Sequence, residues 1–295
     1  MAKNNMRNHV KNVSASIYQK IRNLSKIRQR STQELLRYYS MERFLYRLSV
    51  SSYKNKFFLK GGLMFLIWDH YNHRTTVDID LLARCENKEA NLKKIIKEIT
   101  SQKVISDGIE FNISKLKLKK SQLETNYSGY RATFEANIFT AKLPMKIDFG
   151  FSDIILPKPM VLEYPILLKH PIFNIKGYTP ETVVAEKLET IFRLGKTNSR
   201  MKDFYDIWVI FRQFKIDSEK LKKIIIEIFI HRNMDVSEYK PTVLFEILKF
   251  DKQTLERWKA FLIVIDHEHV AFERVLDFIL KKLNKLSIEK SLSHI

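Results

Sequence analysis

Two aspartates in a short apolar segment are the clearest candidates for chemistry in this sequence. Asp78 and Asp80 alternate with apolar residues, and this alternation predicts a strand over residues 77–82. Side chains two apart on a strand point to the same face, so the two carboxylates would lie about 7 Å apart. Like charges at that separation repel unless a cation lies between them, and Mg²⁺ prefers such oxygen ligands. The spacing therefore predicts a magnesium site.

A glycine pair lies upstream of these aspartates. Gly61 and Gly62 follow a short apolar strand at 57–59 and precede an apolar segment that is compatible with a helix. A turn of this kind at a helix start leaves backbone N–H groups available to bind an anion. Taken alone, a glycine pair usually marks an ordinary turn, and Asp-x-Asp usually marks a solvated strand end. The two together, joined by a polar loop with Arg74 and Thr76, favour a site for phosphate and metal.

A third aspartate lies in another predicted strand. Asp148 stands between Ile147 and Phe149 in the segment 141–151, which follows an alternating strand at 130–139. An unpaired carboxylate in an apolar strand is costly, so its presence needs a reason. The residues leave two explanations open: an ion pair with a neighbouring lysine, or a place in the metal site.

A second informative stretch lies at residues 185–208. Its periodicity predicts two consecutive helices, of which the first carries Lys187 and ends at Gly195. On the second helix, Asp203 and Asp206 are three residues apart and share a face. Spacing alone leaves an ordinary charged surface as an alternative to a functional site. The same stretch also holds Arg200 and Lys202.

The order of these motifs resembles a known family. Gly-Gly, a helix and then Arg74-x-Thr76-x-Asp78-Ile79-Asp80 resemble the first motif of the polymerase-β-type nucleotidyltransferases. Within that superfamily the chain is most similar to the AbiEii/AbiGii toxin family, the toxin halves of type IV, abortive-infection toxin–antitoxin pairs. Glu-Lys-Leu at 186–188 and Arg-x-Lys-Asp-x-x-Asp-Ile at 200–207 resemble later motifs of that family. The resemblance extends from about Phe57 to about Ile210.

The resemblance implies an α+β fold, with a mixed β-sheet nucleotidyltransferase core, N-terminal helices and a helical C-terminal domain. It implies an enzyme that moves a nucleoside monophosphate from an NTP to a hydroxyl of RNA, with tRNA as the candidate, or of a protein. The cofactor would be Mg²⁺. A cognate antitoxin protein, usually encoded in a neighbouring gene, is the expected partner.

The resemblance also assigns roles to single residues. Asp148 becomes the third metal-binding acid beside Asp78 and Asp80. Asp206 is the expected further catalytic acid, whereas a role for Asp203 is left open. The expected nucleotide-binding residues are Gly61, Gly62, Arg74, Thr76, Lys187 and Lys202, of which Lys187 would hold the triphosphate, and Arg200 is a further candidate phosphate ligand.

Two rival functions belong to other classes. A non-catalytic nucleic-acid-binding protein on the same scaffold would be expected to have lost acids of the Asp-x-Asp motif, but both are intact. A Mg²⁺-dependent nuclease could use the same carboxylates, yet it would not require a triphosphate cradle. The glycine pair and Lys187 therefore favour transfer over hydrolysis.

Apolar periodicity predicts the elements that must position these residues. Two helices are predicted over 8–50, another over 88–100, strands over 104–120 and an extended segment over 161–168. Thr179-Pro180-Glu181 predicts a helix start, and further helices are predicted at 218–231, 241–250, 252–265 and 267–286. His267 and His269 are interpreted as non-ligands. The predicted domains are N-terminal basic helices packed on the core at 1–50, the nucleotidyltransferase core at 51–178 and a helical domain at 179–295.

The charge of the chain is uneven. The formal net charge is +19, and residues 1–60 hold 14 Lys and Arg against two acids. A compact basic segment is typical of nucleic-acid binding. A lysine-rich composition throughout and a basic membrane-surface helix are the alternatives. Three tyrosines lie among arginines in this segment and predict either base stacking or core packing: Tyr38, Tyr39 and Tyr46.

Several classes of protein are disfavoured. Cys85 is the only cysteine, so a disulfide framework and a Cys-based zinc site are excluded. The sequence has no run of 18 uncharged apolar residues that predicts a membrane span, and no apolar segment of a signal peptide follows the N-terminus. A cytoplasmic protein is the expectation.

Overall fold

The computed structural model describes residues 2–69, 74–122, 128–151, 154–234, 239–265 and 270–286. The chain divides into two compact units. The first comprises Met1–Asp153 and Met160–Gly177, and the second comprises Ile154–Pro159 and Tyr178–Ile295. The three-domain division at 1–50, 51–178 and 179–295 stays a prediction.

Two long helices open the first unit, as the periodicity predicts. Helix α1 spans Ala2–Arg28 and helix α2 spans Thr32–Val50. Ser31 caps α2, since its Oγ accepts a hydrogen bond of 3.1 Å from the Glu34 N–H. A serine followed three residues later by a glutamate is a sequence signature of a helix start. The apolar stripe of α2 is buried in the core of the unit: Leu35, Leu36, Phe44, Leu45 and Leu48.

In the described part of the chain, seven strands form one mixed sheet. Its strand order is β3-β4-β5-β2-β1-β7-β6, in which β2 with β5 and β1 with β7 are parallel and the other neighbours are antiparallel. The α+β fold with a mixed sheet is therefore confirmed. The strands are β1 Phe57–Lys60, β2 Ile79–Ala83, β3 Glu110–Gln122, β4 Ser128–Ile138, β5 Ala141–Gly150, β6 Met160–Glu163 and β7 Asn174–Gly177.

The two faces of the sheet differ in polarity. Alternate residues of β5, such as Ile147 and Phe149, are buried, whereas Lys146 between Met145 and Ile147 is exposed. On the apolar face, the Phe44 ring of α2 contacts Phe111 and Phe134 of β3 and β4. Burial on one face fixes which residues point to the other, and Asp148 therefore lies on the polar face. Two further helices belong to this unit: α3 Gly62–Asp69 and α4 Glu89–Thr100.

The second unit is helical throughout its described elements. Its first helix starts where Thr179-Pro180-Glu181 predicts, because the Thr179 side chain accepts a hydrogen bond from the Thr182 N–H. It ends at Gly195, whose φ is +50°. The elements are α5 Pro180–Leu194, a 3-10 turn at Gly195–Thr197, α6 Met201–Gln213, α7 Ser218–His231, α8 Pro241–Phe250, α9 Lys252–Val264 and α10 Phe272–Asn284.

Some predicted boundaries are wrong. Strand β2 begins at Ile79, so Asp78 lies immediately before the strand and not within it. Strand β3 begins at Glu110, and β6 ends at Glu163. Strand β7 was not predicted, since it is four residues long and is defined by pairing with β1 and β6. His267, His269 and the tail after Leu286 lie outside the described residues.

No helix in the described part of the chain is long and apolar enough to span a bilayer.

Candidate active site

A glycine turn joins β1 to α3 and makes room for a carboxylate. Gly61 has a φ of +67°, a conformation that only glycine adopts without strain. A Cβ atom at this position would lie 1.9 Å from Oδ2 of Asp80 and 2.6 Å from its Cγ. A Cβ on Gly62 would lie 2.5 Å from Oγ1 of Thr76. Both glycines therefore let the turn approach the side chains of the segment that carries the aspartates.

Strand register brings two aspartates side by side. Asp80 of β2 pairs with Asp148 of the parallel strand β5. Paired residues on neighbouring strands lie about 5 Å apart and point to the same face. On its other side Asp80 pairs with Lys60 of β1. Asp78 precedes Asp80 by two residues and lies immediately before the strand.

Arg131 of β4 completes this row. It pairs in register with Asp148, and its Nε and Nη2 each donate a hydrogen bond of 2.7 Å to the two carboxylate oxygens. The hydrogen bond to Asp148 raises the pKa of Arg131, and the charges of Asp78 and Asp80 add to the effect. An ion pair was one of the two explanations for Asp148 that the sequence leaves open. It exists, but its cation is an arginine and not a lysine.

Asp78 has a buried oxygen atom with no partner among the residues that the structure describes. Its Oδ1 is buried, and within the described residues it accepts no hydrogen bond. A buried carboxylate oxygen left in this way costs free energy. An orphaned oxygen beside a second carboxylate is the arrangement expected where a cation binds.

Helix α2 holds the loop that leads to Asp78. The Thr76 N–H donates a hydrogen bond of 3.1 Å to the Tyr38 hydroxyl, and the Thr75 hydroxyl donates one of 3.3 Å to Glu34. Burial raises the pKa of Tyr38, against the hydrogen bond from Thr76 and the positive charge of Arg74. Tyr38 is therefore a positioning residue for the loop and not a surface for stacked bases.

Some arginines of the N-terminal segment form ion pairs in the interior of the protein and are buried. Arg43 and Arg47 are buried and both pair with Asp107, through contacts of 2.9 Å and 2.7 Å. Tyr39 is buried as well, and its hydroxyl donates to the Asp107 carbonyl. Of the two alternatives that the sequence leaves open for Tyr39, the structure therefore supports core packing, and Arg43 and Arg47 belong to the same core.

The second unit contains a buried ion cluster on α5 and α6. Lys187 Nζ lies 2.6 Å from Asp203 Oδ1 and 2.8 Å from Asp206 Oδ2, and Arg200 Nε lies 2.7 Å from Asp203 Oδ2. The side chains of Asp203 and Asp206 are 1% and 0% exposed. The alternative of an ordinary charged surface is therefore wrong. Lys202, at the start of α6, is exposed.

The cluster keeps Asp203 ionised. Burial acts to raise the pKa of Asp203, but the positive charges of Lys187 and Arg200 outweigh it and lower the pKa. The start of α6 is fixed by Asn198, a buried residue whose Oδ1 accepts a hydrogen bond of 2.8 Å from the Arg200 N–H. Four of the five candidate residues of this stretch therefore meet in one cluster: Lys187, Arg200, Asp203 and Asp206.

Comparison with known proteins identifies the family. The model of the family described as nucleotidyl transferase AbiEii toxin, type IV TA system, matches residues 43–278. The chain belongs to the AbiEii family. It is therefore a nucleotidyltransferase of the type IV toxin family, for which an NTP substrate and an antitoxin partner are the family's implication.

Solved structures give weaker likenesses to this AbiEii-family chain. JHP933 from Helicobacter pylori is 18% identical, with a TM-score of 0.48 over 90% of this chain and 99% of that one. An antigenic nucleotidyltransferase-like protein from Paracoccidioides brasiliensis is 11% identical, with a TM-score of 0.40 over 65% of this chain and 88% of that one. A search of curated proteins gave no match.

The acids of this AbiEii-family enzyme can be tested for their fit to a metal ion. Carboxylate oxygens suit a hard cation, and the orphaned Oδ1 of Asp78 fits such a ligand. Among the described residues, however, no three His, Cys, Asp or Glu side chains form a metal-binding group, and Arg131 holds both oxygens of Asp148. The donor set fits a cation held by Asp78 and Asp80. Asp148 as a ligand stays a prediction.

Sequence reasoning missed Arg131 and Tyr38 as parts of the site. A signal for Arg131 was present, because the alternation of strand 130–139 places it on the polar face. That alternation does not give the register with β5, and the register is what sets Arg131 opposite Asp148. No local signal marks Tyr38, which lies 38 residues from Thr76.

Proposed function

We propose that this AbiEii-family enzyme transfers a nucleoside monophosphate from an NTP to a hydroxyl of RNA, with tRNA as the candidate acceptor, in a Mg²⁺-dependent reaction. The observation that carries the proposal is the register of β2 and β5, which sets Asp80 beside Asp148, while Asp78 keeps a buried oxygen without a partner in the described part of the chain. Mg²⁺ bound to Asp78 and Asp80 would neutralise phosphate charge and orient the α-phosphate.

The reaction is a substitution at phosphorus. The acceptor hydroxyl oxygen forms a bond to the α-phosphorus, the bond between the α-phosphorus and the bridging oxygen breaks, and pyrophosphate leaves. The hydroxyl proton passes to a carboxylate base, for which Asp206 is the candidate. Such reactions depend mainly on positioning and charge neutralisation.

The remaining residues of the proposal bind the nucleotide. The N–H groups at the start of α3, beside Gly61 and Gly62, suit a phosphate oxygen. Arg74 supplies positive charge in the loop that Tyr38 and Glu34 hold. Lys187 and Lys202 are proposed to bind the triphosphate. For Lys187 this requires its ammonium group to contact phosphate as well as Asp203 and Asp206.

A labelling assay tests the proposal. Purified protein, Mg²⁺ and each α-³²P-labelled NTP are incubated with total bacterial RNA, with Asp80→Ala as the inactive control. We expect label in a tRNA-sized band with the wild type only. Label in protein would move the acceptor to a protein hydroxyl, shortened RNA without label would favour a nuclease, and binding without either would favour a non-catalytic binder.

Expression in bacteria tests the biological consequence. Wild-type protein is expected to arrest growth, and Asp80→Ala at equal expression is expected not to. Equal growth of the two strains would count against toxicity through this active site while leaving the transferase chemistry to the labelling assay.

A further inference from the structure

On the polar face of the sheet, basic residues lie in the same row across the strands as Asp148 and Asp80. Across β3, β4, β5 and β2, the register pairs Lys119 with Arg131, Arg131 with Asp148 and Asp148 with Asp80. Each step between strands is about 4.8 Å. One straight row therefore runs from an exposed lysine to the carboxylates of the proposed active site.

A second row of basic residues lies beside the first. Lys117 pairs with Thr133, and Thr133 pairs with Lys146. These residues are two positions along their strands from the first row, a separation of about 7 Å. We name Lys117, Lys119, Arg131 and Lys146 the basic sheet face.

The lysines of the basic sheet face have no counter-charge in the described part of the protein. Lys117, Lys119 and Lys146 are exposed, and within the described residues they form no salt bridge. Lys115, which precedes them on β3, differs because it pairs with Glu135 at 3.2 Å. Three adjacent unpaired ammonium groups are held by a rigid sheet, and their mutual repulsion favours binding of a polyanion.

The chemistry of this face selects one kind of contact. The polar side of β3, β4 and β5 presents lysine, arginine, threonine, serine, asparagine, proline, glutamate and aspartate, and its described residues include no aromatic side chain. Sheets that read single-stranded nucleic acid through its bases do so with aromatic rings. A face of lysines without rings suits phosphate groups and carries no sequence information.

We propose that the basic sheet face binds the sugar–phosphate backbone of the acceptor RNA and leads its reacting hydroxyl to the end of the row at Asp148 and Asp80. The proposal rests on the proposed function, because it takes RNA as the acceptor. It assigns the RNA surface to the sheet, whereas the sequence places the basic footprint in the N-terminal helices, where Arg43 and Arg47 are buried against Asp107.

A charge-matched pair of variants tests the surface. The sheet variant carries K117Q, K119Q and K146Q. The control variant carries K223Q, K252Q and K259Q, which removes three exposed lysines of the second unit that form no salt bridge within the described residues. Filter binding with bulk bacterial tRNA, in Mg²⁺ and without NTP, gives the Kd across a range of salt concentrations. Urea unfolding of both variants verifies that they fold.

The sheet variant is expected to bind tRNA at least about tenfold more weakly near 0.1 M salt. The plot of the logarithm of the association constant against the logarithm of the salt concentration is expected to become less steep by about 2, as for the loss of three phosphate contacts. The control variant is expected to stay within about twofold of the wild type, as expected of exposed lysines away from the contact. Poly(A) and poly(U) are expected to compete equally well.

Three results would overturn the proposal. The sheet variant could keep the Kd and salt slope of the wild type, or the control variant could lose as much affinity as the sheet variant. Alternatively, poly(A) and poly(U) could compete very differently, which would indicate base readout. Because no NTP is present, these outcomes are independent of transfer: a wild type that binds tRNA through this face but labels no RNA would overturn the proposed function alone.

Discussion

Carboxylates meet their counter-charges differently in the two units. In the second unit Asp203 and Asp206 are fully buried, and both contact Lys187 within 2.8 Å. In the first unit Asp80 and Asp148 are direct neighbours across two strands, and Asp78 keeps a buried oxygen without a partner in the described residues. The second cluster neutralises its buried carboxylates within the protein and so stabilises the fold, in addition to the roles proposed for Lys187 and Asp206, whereas the first cluster leaves a buried carboxylate oxygen without a partner in the described residues, at a cost in stability.

The largest effect is expected from Asp80→Asn. Removal of this charge is expected to lower the rate of nucleotidyl transfer by about a thousandfold, which corresponds to about 4 kcal/mol. The free energy of unfolding should change by no more than about 1 kcal/mol, because the loss of repulsion from Asp148 offsets the loss of attraction to positive charges such as Arg131. Labelling rates and urea denaturation measure the two quantities. A decrease in the free energy of unfolding as large as the increase in the activation free energy would contradict the difference described between the two clusters.

Lys187→Met tests the other side of the comparison. It leaves Asp203 and Asp206 buried with less positive charge, and breaking a buried ion pair in this way costs about 3–5 kcal/mol. The exposed Lys223 provides the control, since Lys223→Met is expected to change stability by no more than about 0.5 kcal/mol. Urea denaturation compares the two variants. Equal stability of both would show that the cluster does not stabilise the fold.

Gly61→Ala separates strain from steric conflict. Gly61 and Gly195 both have positive φ, but a Cβ on Gly61 meets Asp80 at 1.9 Å whereas one on Gly195 meets nothing within 4 Å. Alanine at Gly195 is expected to cost about 1–3 kcal/mol from backbone strain alone. Alanine at Gly61 adds overpacking of about 1–3 kcal/mol and should displace Asp80 and lower transfer. A similar loss in stability and activity for both variants would argue against the close contact.

Glu42 is a further buried acid, and its effect is expected to be the smallest and to depend on pH. Burial raises the pKa of Glu42 to about 7, against a hydrogen bond from the Leu167 N–H and the charge of Arg43. In the folded protein the Glu42 carboxyl group stays protonated at pH values at which it ionises in the unfolded chain. Its contribution to the free energy of unfolding is therefore complete below about pH 4.5 and is lost as the pH rises towards 7. We expect a change of about 1–3 kcal/mol across this window.

Glu42→Gln is expected to remove this pH dependence, as measured by urea denaturation from pH 4.5 to 8. His170, whose pKa is lowered by burial, contributes a slope of the opposite sign in both proteins and cancels in their difference. Parallel stability curves for the two proteins would contradict the raised pKa of Glu42.

Local sequence patterns were sufficient for much of the fold. The Thr179 cap, the alternation of β4 and β5 and the stop at Gly195 each depend on residues a few positions apart, and the structure confirms them. The motif order around Gly61 and Asp80 also led to the family that the AbiEii match establishes.

Only the tertiary structure decided which charges meet. Arg131 lies 17 residues from Asp148 and Asp107 lies 64 residues from Arg43, so neither pair leaves a local periodic signal. Strand register made Asp80 the neighbour of Asp148, and helix packing buried Asp203 and Asp206 beside Lys187. The sequence thus determined the residue types and the elements that carry them. Pairing between distant strands and helices decided which carboxylates are neutralised within the protein, because register and burial are set by the whole core and not by neighbours in the chain.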